Sequence, residues 1–271
     1  MKAGSKHTVF HIPDRMMSET QPCWQQTSES HGTIFFDYDG TLHDSMAVYG
    51  PAFRSAYAWL VEQGYMPARE FSDSWISHWL GYTTKAMWTT FAPDLPESVW
   101  RTAAALVGKE MDARTLAGKA RLFIGVPDML TQLRSKGFQL ALLSNCRIEY
   151  CQAHRAMFQL DQWFDFYCAA EDYNDISKGE MFQQATNPNS KCFRAEIKEH
   201  PLRVHSASRL PLEGPYMIVG DRFHDIEAAN DNGIASVGCL YGFGEPSELD
   251  GATYLVQSPT DILDCIERAF C

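Results

Sequence analysis

No stretch of the sequence approaches the roughly 18–20 consecutive apolar residues needed to cross a bilayer as a helix. The first residues carry lysines but no continuous apolar core before Asp14 and Arg15, so a secretory leader is not expected. There is no long basic run, and the net charge of -11 gives no electrostatic footprint for a nucleic-acid backbone. The eight cysteines include no C-x-x-C pair and no histidine partner at zinc-finger spacing. A disulfide framework is unexpected in a chain this long, and the reading is scattered thiols in a reducing, cytoplasmic setting. Neither nucleic acid nor membrane is an expected partner.

What is present is the composition of a globular protein. The 271 residues are 45% hydrophobic and 21% charged, enough for one domain with a large insertion or for two. Residues 1–31 are mixed polar without clear periodicity and read as a flexible extension, within which Met16 and Met17 offer alternative starts.

The informative stretch is Thr33 to Ser45, T-I-F-F-D-Y-D-G-T-L-H-D-S. Strand-forming residues Ile34, Phe35 and Phe36 end in two carboxylates, Asp37 and Asp39, followed by a Gly-Thr turn. Residues two apart on a strand share a facing, so both carboxylates are expected to point toward one site. Two like charges there raise each other's pKa unless a cation lies between them or one takes a proton. A hard divalent metal, or a nucleophile beside a proton carrier, resolves the conflict; a solvated strand-end turn is the plainer alternative.

Beyond Ser45 the period becomes helical, with Phe53, Ala56, Tyr57 and Leu60 recurring up to Gly64. Further helices are expected over 71–80, 83–91 and 96–116, and no strand is expected between Met46 and Lys119. Five of the seven tryptophans fall in this segment, which makes either an aromatic-lined pocket or a compact helical core.

From Gly125 helices and strands alternate: helix to Lys136, strand 138–143, helix 148–158, strand 164–169, a helix starting near Ser177, strand 216–219, helix to Asn230, strand 235–237, strand 253–256 and helix 260–270. This is the pattern of a parallel sheet covered on both faces. Ligands bind beyond the carboxyl ends of such strands. The polar residues there are Asp37 and Asp39, Ser144 and Asn145, and Asp221 and Asp225 within G-D-R-F-H-D, with Lys178 from a neighbouring turn. Taken singly, Ser144 also fits a helix N-cap, Lys178 a solvated lysine and G-D-R-F-H-D an acidic first helical turn.

In order, D-x-D-G-T-L, strand-Ser-Asn, Lys and G-D-x-x-x-D resemble the four motifs of the haloacid dehalogenase superfamily, over essentially Thr33 to Phe270. The position of the helical segment is similar to the helical-cap branch that contains phosphoglycolate phosphatase. The resemblance implies an α/β protein: a Rossmann-like parallel-sheet core (32–45 and 120–271) with an inserted α-helical cap domain (46–119). It implies a Mg²⁺-dependent phosphatase of a small phosphorylated metabolite, working through an aspartyl-phosphate as a monomer or homodimer. Asp37 would be the nucleophile and Asp39 the acid and base. The metal would be held by Asp37, the Asp39 carbonyl and Asp221, with Asp225 helping; the phosphate would lie against Ser144, Asn145, Lys178, Gly40 and Thr41. His43, His78, Tyr82, Thr83 and Lys85 are the candidates for specificity, and a cap lysine such as Lys85 is a candidate for a Schiff base of the phosphonatase kind.

Dehalogenases of this superfamily resemble D-x-Y-G-T, because a halide leaves without a proton. Asp39 stands here instead, which favours ester cleavage. A phosphotransferase or mutase resembling β-phosphoglucomutase and a non-catalytic phosphometabolite-binding protein remain the alternatives. The chain departs from many relatives in carrying Lys178-Gly179-Glu180 rather than Lys-Pro. Lys178 and Asp221 also lie 43 positions apart, a separation that includes the loop-like segment 187–215.

Overall fold

Thr33–Phe36 is fully buried and forms β1. Its side chains alternate between two apolar layers, Ile34 and Phe36 on one face of the sheet and Phe35 on the other. Burial on both faces is why the run is continuously apolar. The computed structural model describes residues 31–187, 189 and 212–270. The remaining strands are β2 (Gln139–Ser144), β3 (Phe166–Ala169), β4 (Tyr216–Gly220), β5 (Ala235–Cys239) and β6 (Tyr254–Val256). They form one sheet of order β3-β2-β1-β4-β5-β6, every pairing parallel. The order reverses between β1 and β4, and in an open sheet such a reversal opens a crevice at the strand ends.

The helices are α1 (Met46–Glu62), α2 (Asp73–Ser77), α3 (Thr84–Phe91), α4 (Glu97–Leu116), α5 (Val126–Ser135), α6 (Ile148–Met157), α7 (Lys178–Thr186), α8 (Phe223–Asp231) and α9 (Asp261–Phe270). On the Ile34 face, α5 and α9 contribute Met129, Leu133, Ile262 and Ile266. On the Phe35 face, α7 and α8 contribute Met181, Phe182, Ala228 and Ala229.

Helices α1 to α4 enclose an aromatic core of their own around Phe53, Phe71, Trp79 and Trp88. Truncating a side chain such as Phe53 there would cost about 3–5 kcal/mol. The chain enters and leaves this helical cap side by side. Asp44 N donates to Arg121 O (3.0 Å), Phe123 N donates to Leu42 O (2.9 Å), and Arg121 pairs with Asp44 (2.6 Å).

One expected helix is much shorter than its pattern. In place of 71–80, α2 spans five residues. Ser72 caps its start by accepting from Trp75 N, and after Ser77 the carbonyls of His78 and Leu80 accept from Arg222 of the core. That competing donor ends the helix, and Gly81 then turns the chain at φ +87°. The strand expected from Phe164 begins two residues later, because Trp163 and Phe164 donate back to Leu160 in a 3₁₀ turn.

Among the described residues no helix is long and apolar enough to cross a membrane. Cys146, Cys151, Cys168, Cys239 and Cys265 are free thiols. The expected flexible extension, apart from His31, most of the 187–215 segment, and Cys23, Cys192 and Cys271 lie outside the described residues.

Candidate active site

Asp37 follows the last residue of β1, and its amide donates to Val219 of β4 (2.8 Å), which fixes the backbone at the sheet's reversal. Lys178 arrives from the other side. Ser177 and Glu180 form a reciprocal capping box that places Lys178 at the first position of α7. This turn lies against α8, and Asn232 just beyond that helix donates from Nδ2 to Gly179 O (3.4 Å). Lys178 Nζ donates to Asp37 Oδ1 and to Asp225 Oδ1, each at 2.6 Å, and all three side chains are buried.

Asp221 completes the group. One oxygen atom from each of Asp37, Asp221 and Asp225 lies within 4.8 Å of the others. Burial pushes the Asp37 carboxyl well above the usual range, Lys178 opposes this, and Asp225 and Asp221 add to it. Burial and then Asp225 raise Asp221 to about 7, against the Phe243 amide, Arg222 and Lys178. Burial works against the Lys178 charge, yet Asp225 and Asp37 outweigh it and raise its pKa.

The donor set fits a hard divalent cation. Three buried carboxylates face one ammonium, and Asp37 Oδ2 is buried with no hydrogen-bond partner among the described residues. Oxygen-only ligands with such a surplus of negative charge suit Mg²⁺. Gly40, at φ +89°, is what lets Asp221 come this close: a Cβ there would lie 2.2 Å from its carboxylate. Thr41 Oγ1 (3.4 Å) and Phe243 N (2.7 Å) donate to the two Asp221 oxygens.

Asp39 does not share the facing of Asp37, because β1 ends at Phe36 and the alternation expected from the sequence stops with it. Its Oδ1 accepts from the Tyr150 hydroxyl (2.6 Å) and contacts His43 Nδ1 (3.1 Å). Burial pushes this carboxyl up, but the His43 bond and charge and the Tyr150 bond prevail, and its pKa is lowered. Asp39 lines a cavity of about 120 Å³ between core and cap, walled by Trp79, Tyr82, Trp88, Asn145 and Arg147. A second cavity, about 200 Å³, is lined by Lys178, Asn145, Thr83 and His224. Trp79 and Trp88 thus serve both as cap core and as pocket wall.

The other expected residues divide by location. Ser144 is buried at the end of β2. Asn145 lines both cavities while its Nδ2 donates to the cap carbonyl of Gly81 (2.8 Å). Among the specificity candidates, Tyr82 lines the first cavity and Thr83 the second. His43 is fully buried in the core and reaches Asp39, so it does not face the cap cavity. His78 packs its ring on Trp79 and Tyr82, and Lys85 is exposed on α3; neither lines a described cavity.

Sequence reasoning missed Tyr150, Arg147, Arg222 and the Phe243 amide. Tyr150 reads as one more apolar residue of an amphipathic helix. Arg222 reads as the variable position of G-D-x-x-x-D. It is 1% exposed, donates to Glu248 (2.7 Å) and to His78 O (3.0 Å) and Leu80 O of the cap, and lies over the Tyr82 ring. Nothing in local sequence shows a contact to positions so distant.

Comparison with known proteins agrees with this architecture. The chain is 27% identical over 237 residues to a phosphoglycolate phosphatase of Synechococcus elongatus, covering 87% of this chain and 97% of that protein. It is 25% identical to tyrosine-protein kinase PtkA of Mycobacterium tuberculosis, covering 89% of this chain and 73% of the kinase. A solved predicted phosphatase from Clostridium acetobutylicum shares the fold at TM-score 0.69 and 20% identity, covering 89% of this chain and 100% of that one. The model of the haloacid dehalogenase-like hydrolases matches residues 31–233, from the start of β1 through the cap to the end of α8, and the chain belongs to that family.

Proposed function

We propose that the chain is a Mg²⁺-dependent phosphatase that hydrolyses a small phosphorylated metabolite through an aspartyl-phosphate on Asp37. The observation that carries this reading is the separation of the two carboxylates. Asp37 lies among Lys178, Asp221 and Asp225, whereas Asp39 faces a cavity under the cap. A nucleophile and a proton carrier need such different surroundings. The relatives named phosphatases support the same reading.

A carboxylate attacking a phosphate dianion meets strong repulsion, so positive charge must surround the phosphoryl group. Lys178 supplies part of it. Asp37, Asp221, Asp225 and the Asp39 carbonyl would hold a hard divalent cation, which would supply the remaining positive charge as a Lewis acid. Asp37 forms its bond to phosphorus as the bond to the leaving oxygen breaks, and Asp39 gives that oxygen its proton. Asp39 then takes a proton from water, which attacks phosphorus, frees phosphate and restores Asp37.

The environment of Asp39 in the free protein favours its base form. The substrate dianion beside it raises its pKa toward the acid form needed first. Residues 46–119 are proposed to act as the cap that excludes bulk water. Candidate substrates are phosphoglycolate, sugar phosphates and nucleoside monophosphates.

The test is phosphate release from a broad panel of monoesters, with Mg²⁺ and with chelator, on the wild type and on Asp37→Asn. Metal-dependent release that vanishes in the variant is expected. No release from any monoester, or normal turnover by Asp37→Asn, would sink the proposal. Product in which phosphate has moved to another hydroxyl, without free phosphate, would replace hydrolysis by transfer.

A further inference from the structure

Arg147 opens α6 immediately after the Ser-Asn pair, and its guanidinium reaches across to the cap. It meets α4 at Gly108, the one place on that helix face where a missing side chain makes room. A Cβ added there would lie 2.5 Å from a terminal guanidinium nitrogen and 2.9 Å from Cζ. Among the described residues, no hydrogen bond or ion pair of the kinds found for Arg54, Arg121, Arg134, Arg155 and Arg222 engages this guanidinium. As the N-cap residue of α6 it makes no side-chain capping bond either.

The same guanidinium lines the cavity of about 120 Å³ that holds Asp39. Among the described residues, Asp39 and Arg147 are the only charged residues of that lining, and no ion pair joins them. Asp39 instead spends its Oδ1 on Tyr150 and His43. The rest of the wall is mainly aromatic and aliphatic, from Trp79, Trp88 and Met87. Arg147 is half-buried, so its guanidinium keeps donors free beside an apolar wall, where an incoming anion gains charge-assisted hydrogen bonds.

Resting on the phosphatase reading, we infer that Arg147 determines specificity by binding a carboxylate carried on the alcohol half of the substrate. The ester oxygen then faces Asp39, and the carboxylate end of the leaving group reaches Arg147 at the cap. The cavity of about 120 Å³ is small beside the pockets of about 300 Å³ or more that hold drug-sized ligands, which favours a leaving group of a few carbons. A guanidinium fork takes a planar carboxylate through two parallel bonds, which a neutral hydroxyl cannot match.

Three two-carbon monoesters separate charge from size: phosphoglycolate, its neutral counterpart 2-hydroxyethyl phosphate, and the cationic phosphoethanolamine. With Mg²⁺, wild-type kcat/KM is expected to fall in that order. Arg147→Met should lower kcat/KM for phosphoglycolate about thirtyfold, the scale of a lost charge-assisted bond, and change the neutral ester by no more than about twofold. Arg147→Lys should recover part of the preference. Gly108→Ala, which displaces the guanidinium, should weaken it without removing the charge.

The retained turnover of the neutral ester shows that each variant is folded. Equal wild-type kcat/KM for the acid and the neutral ester would overturn the inference, as would an equal loss on both in Arg147→Met, which would place Arg147 on the phosphoryl group. Release from other monoesters but from none of these three would overturn it while leaving the phosphatase reading intact. Release from no monoester at all would remove both.

Discussion

Lys178 Nζ lies 2.6 Å from Asp37 Oδ1, and both side chains are closed to solvent. The same ammonium holds Asp225 Oδ1, so one cation serves a cluster of three carboxylates. Asp37 and Lys178 are 141 positions apart and Lys178 and Asp225 are 47 apart, so the fold as a whole brings the three together.

Removing that cation leaves buried charges without a partner. Lys178→Met is expected to abolish turnover and to destabilise the fold by about 3–5 kcal/mol. Urea denaturation measures the loss. Added Mg²⁺ should restore more stability to the variant than it adds to the wild type, and an unchanged unfolding midpoint would contradict the geometry.

Tyr150 touches Asp39 but no residue of the carboxylate cluster in the hydrogen-bond network described. Tyr150→Phe should therefore lower kcat about tenfold for alkyl phosphates, the size of a hydrogen bond to a charged group. For p-nitrophenyl phosphate, whose leaving group needs no acid, kcat should barely change. Steady-state kinetics on the two substrate types checks this, and an equal loss on both would assign Tyr150 a purely structural role.

His154 supplies a pH dependence of stability. It is buried, with Nδ1 bonded to the Tyr38 hydroxyl (2.8 Å) and Nε2 near Thr115 Oγ1 (3.3 Å). Burial, then the nearby His43, lower its pKa to about 3, while Asp39 pulls weakly the other way. The unfolded chain, with a pKa near 6.5, binds the proton first, so stability is full above about pH 6.5 and is lost as pH falls toward 3. Between pH 6.5 and 5 the loss is about 2 kcal/mol, at about 1.4 kcal/mol per pH unit. His154→Gln should flatten this slope in denaturant titrations at a series of pH values, and an unaltered slope would exclude His154 as its source.

Arg222 ties the cap loop to the core through His78 O and Leu80 O. Arg222→Met should free the 78–82 loop, speeding amide exchange there about ten- to hundredfold, as expected for buried carbonyls left without a donor. Exchange in β1 and β2 should stay slow. Uniform acceleration would mean that the variant unfolds globally.

How much of this was legible beforehand depended on the range of the interactions involved. The apolar run before Asp37, the alternation of elements after Gly125 and the Ser177/Glu180 cap are local patterns, and each element they announce is present. What failed to show was set by distant partners. Helix α2 is cut short by an arginine 142 positions away from Leu80. Asp39 turns from Asp37 toward Tyr150, 111 positions on. His43, expected as a specificity candidate in or beside the cap, is buried in the core against the same carboxylate. Lys85 has helix-surface spacing and is on the surface.

The central position of β1 governs when function appears during folding. Thr33 to Phe36 are among the first described residues of the chain, yet they pair with Gln139–Leu142 on one side and Tyr216–Val219 on the other. Such distant pairings are the slow steps of folding. Asp37 therefore waits, during synthesis as in refolding, for a strand made almost two hundred residues later. Recovered turnover would be a clock for the last closure of the sheet, running behind any signal from the locally formed cap helices.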